Sequence, residues 1–150
     1  MSFSRKLKIG EMKQTILLLI FFAVSTTVYA QTETEAIQNT LLDYIEGTAN
    51  GEADRLKRAF HEELNLYSIQ NGELRVLPGE TYITYFENGE KRDRIGKILF
   101  IDYANDAASA KIEIITPGRK RVYTDYLLLL KIKGEWKIIH KSYTYESYDD

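Results

Sequence analysis

Few side chains in this 150-residue chain can move a proton or hold a ligand. There is no cysteine, so disulfides, thiolate metal sites and thiol nucleophiles are excluded at once. Asp125 is a carboxylate inside a strongly apolar run that ends in Leu127-Leu128-Leu129-Leu130. It reads either as a polar anchor or base in a pocket, or as a hydrogen-bonded or solvent-facing member of the face it shares with Tyr123 and Leu127. Alternation places His140 on one strand face with Trp136, Ile138 and Ser142. Its titration near neutral pH suits a ligand donor or a general base, against a satisfied histidine at a sheet edge. The other histidine, His61, falls at a helix C-terminus, where positive charge is welcome, so it reads as a cap. In His61-Glu62-Glu63 adjacent side chains point apart and no HExxH spacing occurs, so no metal site is expected. No P-loop, GxGxxG or GxSxG is present either.

These residues must be placed by a helix-then-strand chain. Thr32-Glu33-Thr34-Glu35 matches a capping box, and Ile37, Leu41, Tyr44, Ile45 and Thr48 follow at helical spacing up to Asn50-Gly51. A second short helix is expected from Glu52 to His61, burying Ala53, Leu56, Ala59 and Phe60. The pattern then turns to period two. Leu64 to Ile69 and Leu74 to Leu77 read as strands joined at Asn71-Gly72, a strong hairpin signal. Pro78 suits the first turn of a third helix, with Tyr82, Tyr85 and Phe86 on one face and Gly89 at its end. Four strands close the chain, at 95–104, 107–116, 121–132 and 135–146, with turns at Asn105-Asp106, Pro117-Gly118 and Lys133-Gly134. Consecutive strands with tight turns pair antiparallel, so an α+β fold with helices on one face of a curved sheet is expected.

The first 30 residues read differently. Residues 2–13 are basic, Ile16 to Val24 is unbroken and apolar, and Val28-Tyr29-Ala30 offers an A-x-A-like cut before Gln31. That is the layout of a signal peptide, so export to the periplasm or secretion is expected, with no membrane association after cleavage. An uncleaved anchor is the competing reading, although the run is short for a span of ~20 apolar residues. The whole chain has 20 bases and 22 acids, a net −2. With the leader set aside, 31–150 carries 16 bases and 21 acids, a net −5. One domain of that size can hold a core. Its acidity argues against nucleic-acid binding.

The segment Tyr123-Thr124-Asp125-Tyr126-Leu127-Leu128-Leu129-Leu130-Lys131-Ile132, followed by Gly134-Glu135-Trp136-Lys137-Ile138-Ile139, resembles the last two strands of the nuclear transport factor 2-like superfamily. The nearest branch is the putative lumazine-binding family, related to SnoaL-like proteins. Ala59-Phe60-His61, Asn71-Gly72-Glu73-Leu74 and Asp106-Ala107-Ala108-Ser109-Ala110-Lys111-Ile112-Glu113 are also similar to that branch, and the resemblance covers 33–145. It implies a cone-shaped α+β barrel, with the N-terminal helices packed in a strongly bent antiparallel sheet. The mouth of such a cone often holds a small molecule, and members commonly pair as homodimers through the sheet. Functions in the superfamily range from isomerases and hydratases to binding, so the fold does not fix the activity.

Ketosteroid isomerases of this superfamily use a helix tyrosine, a base Asp early in the sheet and a protonated Asp on a late strand. Tyr44 is placed like the helix tyrosine. The base position falls near Leu66 or Tyr67, where no carboxylate exists, and the late Asp falls near Tyr126 to Leu128, a step or more from Asp125. The expectation is therefore a binding protein without catalysis, requiring no cofactor or metal, for a small aromatic or apolar molecule. Its expected ligand residues are Tyr44, Phe60, Tyr82, Phe86, Asp125, Tyr126 and His140. The alternatives are a proton-transfer enzyme using Asp125, His140 and Tyr44, and a homodimeric interaction module. Arg92, Arg94, Arg119, Lys120 and Arg121 lie near turns and read as a solvated rim.

Overall fold

The computed structural model describes residues 33–149. The leader and Thr32 of the capping box lie outside the described residues. From Ala36 onward the chain clusters as one compact unit.

Helix α1 spans 33–50. Ile37, Leu41, Tyr44, Ile45 and Thr48 are its buried stripe, at the spacing that keeps one helical face turned to the core. Gly51 takes a φ of 70° and turns the chain into α2, Ala53–Ala59. α2 ends two residues before the expected His61. Phe60 is already extended, with φ −94° and ψ 144°, and opens strand β1, Phe60–Gln70. Asn71 and Gly72 both have positive φ, which is what a tight hairpin turn demands, and β2 returns over Glu73–Pro78. Pro78 therefore closes a strand and only flanks the third helix, α3, Gly79–Thr84. α3 is one short turn shorter than the spacing suggests, and the chain reaches Asn88 through turns.

Strands β3 (Ile95–Ala104), β4 (Ala107–Thr116), β5 (Arg121–Ile132) and β6 (Glu135–Ser147) follow as expected. The six strands form one sheet in the order β2-β1-β6-β5-β4-β3. It is mixed and open, and β1 runs parallel to β6. That pairing departs from the all-antiparallel expectation because the two strands are not sequence neighbours; α3 and the meander lie between them. All other pairs are antiparallel.

One sheet face packs on α1. From β4 and β5 it buries Ala108, Ala110, Ile112, Ile114, Leu127 and Leu129. Each fully buried Leu or Ile contributes ~1.5–3 kcal/mol of transfer free energy. Gly96 of β3 lets the sheet close on the helix, since a Cβ there would overlap the Ile45 side chain. Among the described residues, no helix is long and apolar enough to cross a membrane.

Candidate functional site

β5 alternates cleanly. Asp125, Leu127 and Leu129 face the core, while Tyr126 and Leu128 are exposed on the outer face. β6 changes phase. Trp136 and Ile138 are buried, but Ile138 pairs with Leu129 while His140 pairs with Leu128, so Ile139 is an extra residue. This bulge shifts the alternation by one position. Lys141 therefore faces inward, buried to 4 % exposure, and His140 faces outward.

Three polar side chains meet at this point. The Tyr44 hydroxyl on α1 donates to Asp125 Oδ2 at 2.7 Å. Lys141 Nζ donates to the same oxygen at 2.8 Å and also to the Tyr44 hydroxyl oxygen. The ammonium is further caged by the rings of Tyr44, Tyr143 and Tyr82, at 4.7, 5.0 and 5.6 Å from their centroids. Burial, then the Asp125 charge, push the Tyr44 hydroxyl well above its ordinary pKa, so it is a neutral donor. Asp125 Oδ1 is buried and has no hydrogen-bond partner among the described residues.

Arg94, in the loop before β3, approaches the same cluster. Burial works against its charge, but Tyr82, Tyr44, Asp125 and a hydrogen bond to Tyr82 outweigh that and hold the guanidinium charged. Its Nε is buried with no hydrogen-bond partner among the described residues.

Above this floor opens a cavity of about 1060 Å³. Tyr82, Tyr85, Tyr123, Tyr143 and Tyr145 are among its walls. So are the bases Arg75, Arg92, Arg94, Arg119, Arg121 and Lys141. Burial raises the Tyr123 hydroxyl, but hydrogen bonds from Arg121 and Arg119 more than reverse this and hold it below the ordinary tyrosine range.

The seven expected ligand residues thus separate into three groups. Tyr82 and Phe86 line the cavity. Tyr44, Phe60 and Asp125 lie a layer behind, with the Tyr44 and Phe60 rings 5.3 Å apart and Phe60 6.2 Å from Tyr82. Tyr126 and His140 are on the outer face. Tyr126 is 51 % exposed, and the His140 ring stacks on Tyr67 at 4.8 Å. The expected convergence of Asp125, His140 and Tyr44 therefore fails at His140, because of the bulge. His61 is part of β1 rather than a helix cap, its Nδ1 accepting from the Glu63 N–H at 3.3 Å.

Lys141 and Arg94 escaped the sequence reading. Strict alternation from Trp136 would place Lys141 on the outer face, and only the bulge turns it inward. Arg92, Arg94, Arg119 and Arg121 looked like scattered rim charges but border one opening, because the loop before β3, the β4–β5 turn and the end of β6 come together there.

Comparison with known proteins agrees with this architecture. The family model described as "Putative lumazine-binding" matches residues 32–144. The aldolase FrzH of Cladobotryum sp is 26 % identical over 110 residues, covering 73 % of this chain and 88 % of that protein. Among solved structures, an NTF2-like protein of unknown function from Shewanella baltica superposes with a TM-score of 0.70 at 24 % identity, over 78 % of this chain and 96 % of that one. One from Silicibacter pomeroyi gives 0.69 at 21 %, over 78 % and 98 %. A cystatin-like fold protein from Burkholderia xenovorans gives 0.57 at 14 %, over 77 % and 95 %. At these identities the structural likenesses show the fold alone.

Proposed function

This chain belongs to the putative lumazine-binding family, and from that premise we propose that it is an exported protein that binds a small, ring-bearing molecule in its cone cavity without transforming it. The observation that carries this reading is the cavity itself. About 1060 Å³ is ample for a drug-sized molecule. Its walls offer tyrosine rings, apolar in body and polar at the tip, and its floor is a preorganised polar network. A thermal-shift screen of the purified protein against pterins, flavins, steroids and lipids tests it. Stabilisation by one ring class and not by the others is the expected result. A melting temperature that no compound moves overturns the reading.

One observation favours a second reading, proton-transfer catalysis. Asp125 keeps an unused carboxylate oxygen, and Lys141 and Arg94 supply positive charge beside it. A base flanked by cations suits removal of a proton next to a carbonyl, with the cations stabilising the enolate oxygen. Aldol chemistry passes through such an enolate, and the Cladobotryum relative is named an aldolase. Deuterium exchange at the α-carbon of a bound ketone, abolished in Asp125→Asn, is its test; no exchange above the protein-free rate rejects it.

Two further parts of the proposal concern setting. The leader directs the chain to the periplasm or the medium, which fractionation of expressing cells checks. The outer sheet face exposes Phe100, Tyr126 and Leu128, an apolar surface suited to a homodimer. Light scattering that gives a monomer mass at high concentration removes that part.

A further inference from the structure

We infer that the molecule held in the cavity is an organic monoanion: an aromatic or alicyclic ring system whose single acidic group seats on Arg94. The inference rests on the binding reading above and supplies the chemical class of its ligand.

It follows from counting charge by depth. At the floor, Lys141 is matched by Asp125 through a 2.8 Å ion pair. Arg94 also feels that carboxylate. Its hydrogen bond goes to Tyr82, a neutral partner, and its Nε is buried with none. Asp125 is shared, so the two cations Lys141 and Arg94 exceed their one carboxylate by a single positive charge, and one anionic oxygen placed against the buried Nε would balance that charge and satisfy the donor. One unmatched cation asks for one acidic group.

The mouth repeats the sign at lower stakes. The guanidinium of Arg75 donates to Gln70 Oε1 at 2.7 Å. Arg92 lies 4.2 Å over the Phe86 ring and donates to the Tyr85 carbonyl. Arg121 lies 4.1 Å over the Tyr145 ring and donates to the Tyr123 hydroxyl. These partners are neutral, so the bonds fix the arginines without cancelling them. Glu90 and Asp93 are the lining carboxylates, against six lining bases. This excess stands in a domain whose own net charge is −5. Leu66, Leu77, Phe86 and the Tyr82 and Tyr143 rings give part of the wall an apolar surface that suits a ring, beside polar lining from Ser68, Gln70, Thr116 and Thr144.

The test compares two fluorescent probes of nearly the same skeleton. 1-Anilinonaphthalene-8-sulfonate carries one negative charge; N-phenyl-1-naphthylamine carries none. Binding to the full protein is titrated at low and high salt, and repeated with Arg94→Met and Arg94→Lys. The sulfonate is expected to bind roughly tenfold tighter than the neutral probe. Its affinity should fall with added salt while that of the neutral probe does not. Arg94→Met should remove the preference and leave the neutral probe within about twofold, a result that also shows the variant's cavity intact. Arg94→Lys should keep part of the preference. Equal binding of both probes, or no salt dependence, overturns the monoanion inference and leaves the cavity reading standing. Failure of both probes to bind overturns the two together. A charge preference undiminished in Arg94→Met removes Arg94 as the seat and overturns the inference as stated.

Discussion

Tyr44 and Asp125 are 81 residues apart in the chain, yet a 2.7 Å hydrogen bond joins them in the layer behind the cavity wall. The bond ties the first helix to the fifth strand. Because Lys141 joins the same oxygen, a single carboxylate atom holds three elements together.

Removing that carboxylate should be severe. Asp125→Ala leaves the Lys141 ammonium buried without its counter-ion, a loss of about 3–5 kcal/mol. The double variant Asp125→Leu with Lys141→Met replaces the pair by apolar groups and should recover most of it. Urea denaturation of the two variants and the parent gives the comparison. A double variant no more stable than Asp125→Ala contradicts the account.

Tyr44 also sets an alkaline limb. Its folded pKa is raised above the ordinary 10.0, chiefly by burial and next by Asp125. A raised folded pKa stabilises the protein fully below the unfolded value and ceases to do so as pH climbs from there through the folded one. Unfolding curves above pH ~10 should steepen in the parent and flatten in Tyr44→Phe. Parallel slopes for the two proteins are the contrary outcome.

The acid limb belongs to Asp43. Burial raises its pKa, but hydrogen bonds from Arg55 and Arg58 prevail and hold it below 3.8. Arg55 Nε sits 2.7 Å from Asp43 Oδ1. A depressed folded pKa gives stability above the unfolded value that is lost as pH falls through the folded one. Melting temperature should therefore drop below pH ~4 less steeply in Asp43→Asn than in the parent.

Gly96 is a packing constraint rather than a turn. Gly96→Ala should push β3 from α1 and cost about 1–3 kcal/mol by overpacking. Ile45→Ala alone also destabilises, by removing buried methyl groups. Combining the two should cost less than the sum of the single changes, because the new methyl occupies the vacated space. Strict additivity in chemical denaturation argues against the contact.

His140 should be silent in the cavity. His140→Ala leaves probe binding unchanged, since the ring stacks on Tyr67 at the outer face. A fall in cavity affinity beyond about threefold places the histidine nearer the site than this geometry does.

Much of this was legible beforehand. The i, i+4, i+7 stripe of α1, the Asn71-Gly72 turn and the four closing strands follow from period and turn chemistry, which are local properties. The apolar run singled out Asp125, but alternation alone left it between a pocket-facing and a solvent-facing carboxylate. What escaped depends on distant partners. Ile139 carries no signal of its own; it is a bulge only because Ile138 and His140 pair with adjacent residues of β5. The parallel pairing of β1 with β6 is likewise a tertiary choice. Arg94 and Arg121 look alike as sequence, yet the first reaches the buried floor and the second stays at the mouth, a difference that only the path of the intervening loop and strands decides.

The charge layout also governs how a ligand arrives. An acidic body with six of its sixteen bases around one opening sets up a gradient that begins acting before contact. Approaching anions are turned away from most of the surface and drawn toward the mouth, so encounters are funnelled rather than random. The same arrangement shortens the search and reduces unproductive sticking, and both benefits weaken once the Debye length falls below the width of the opening.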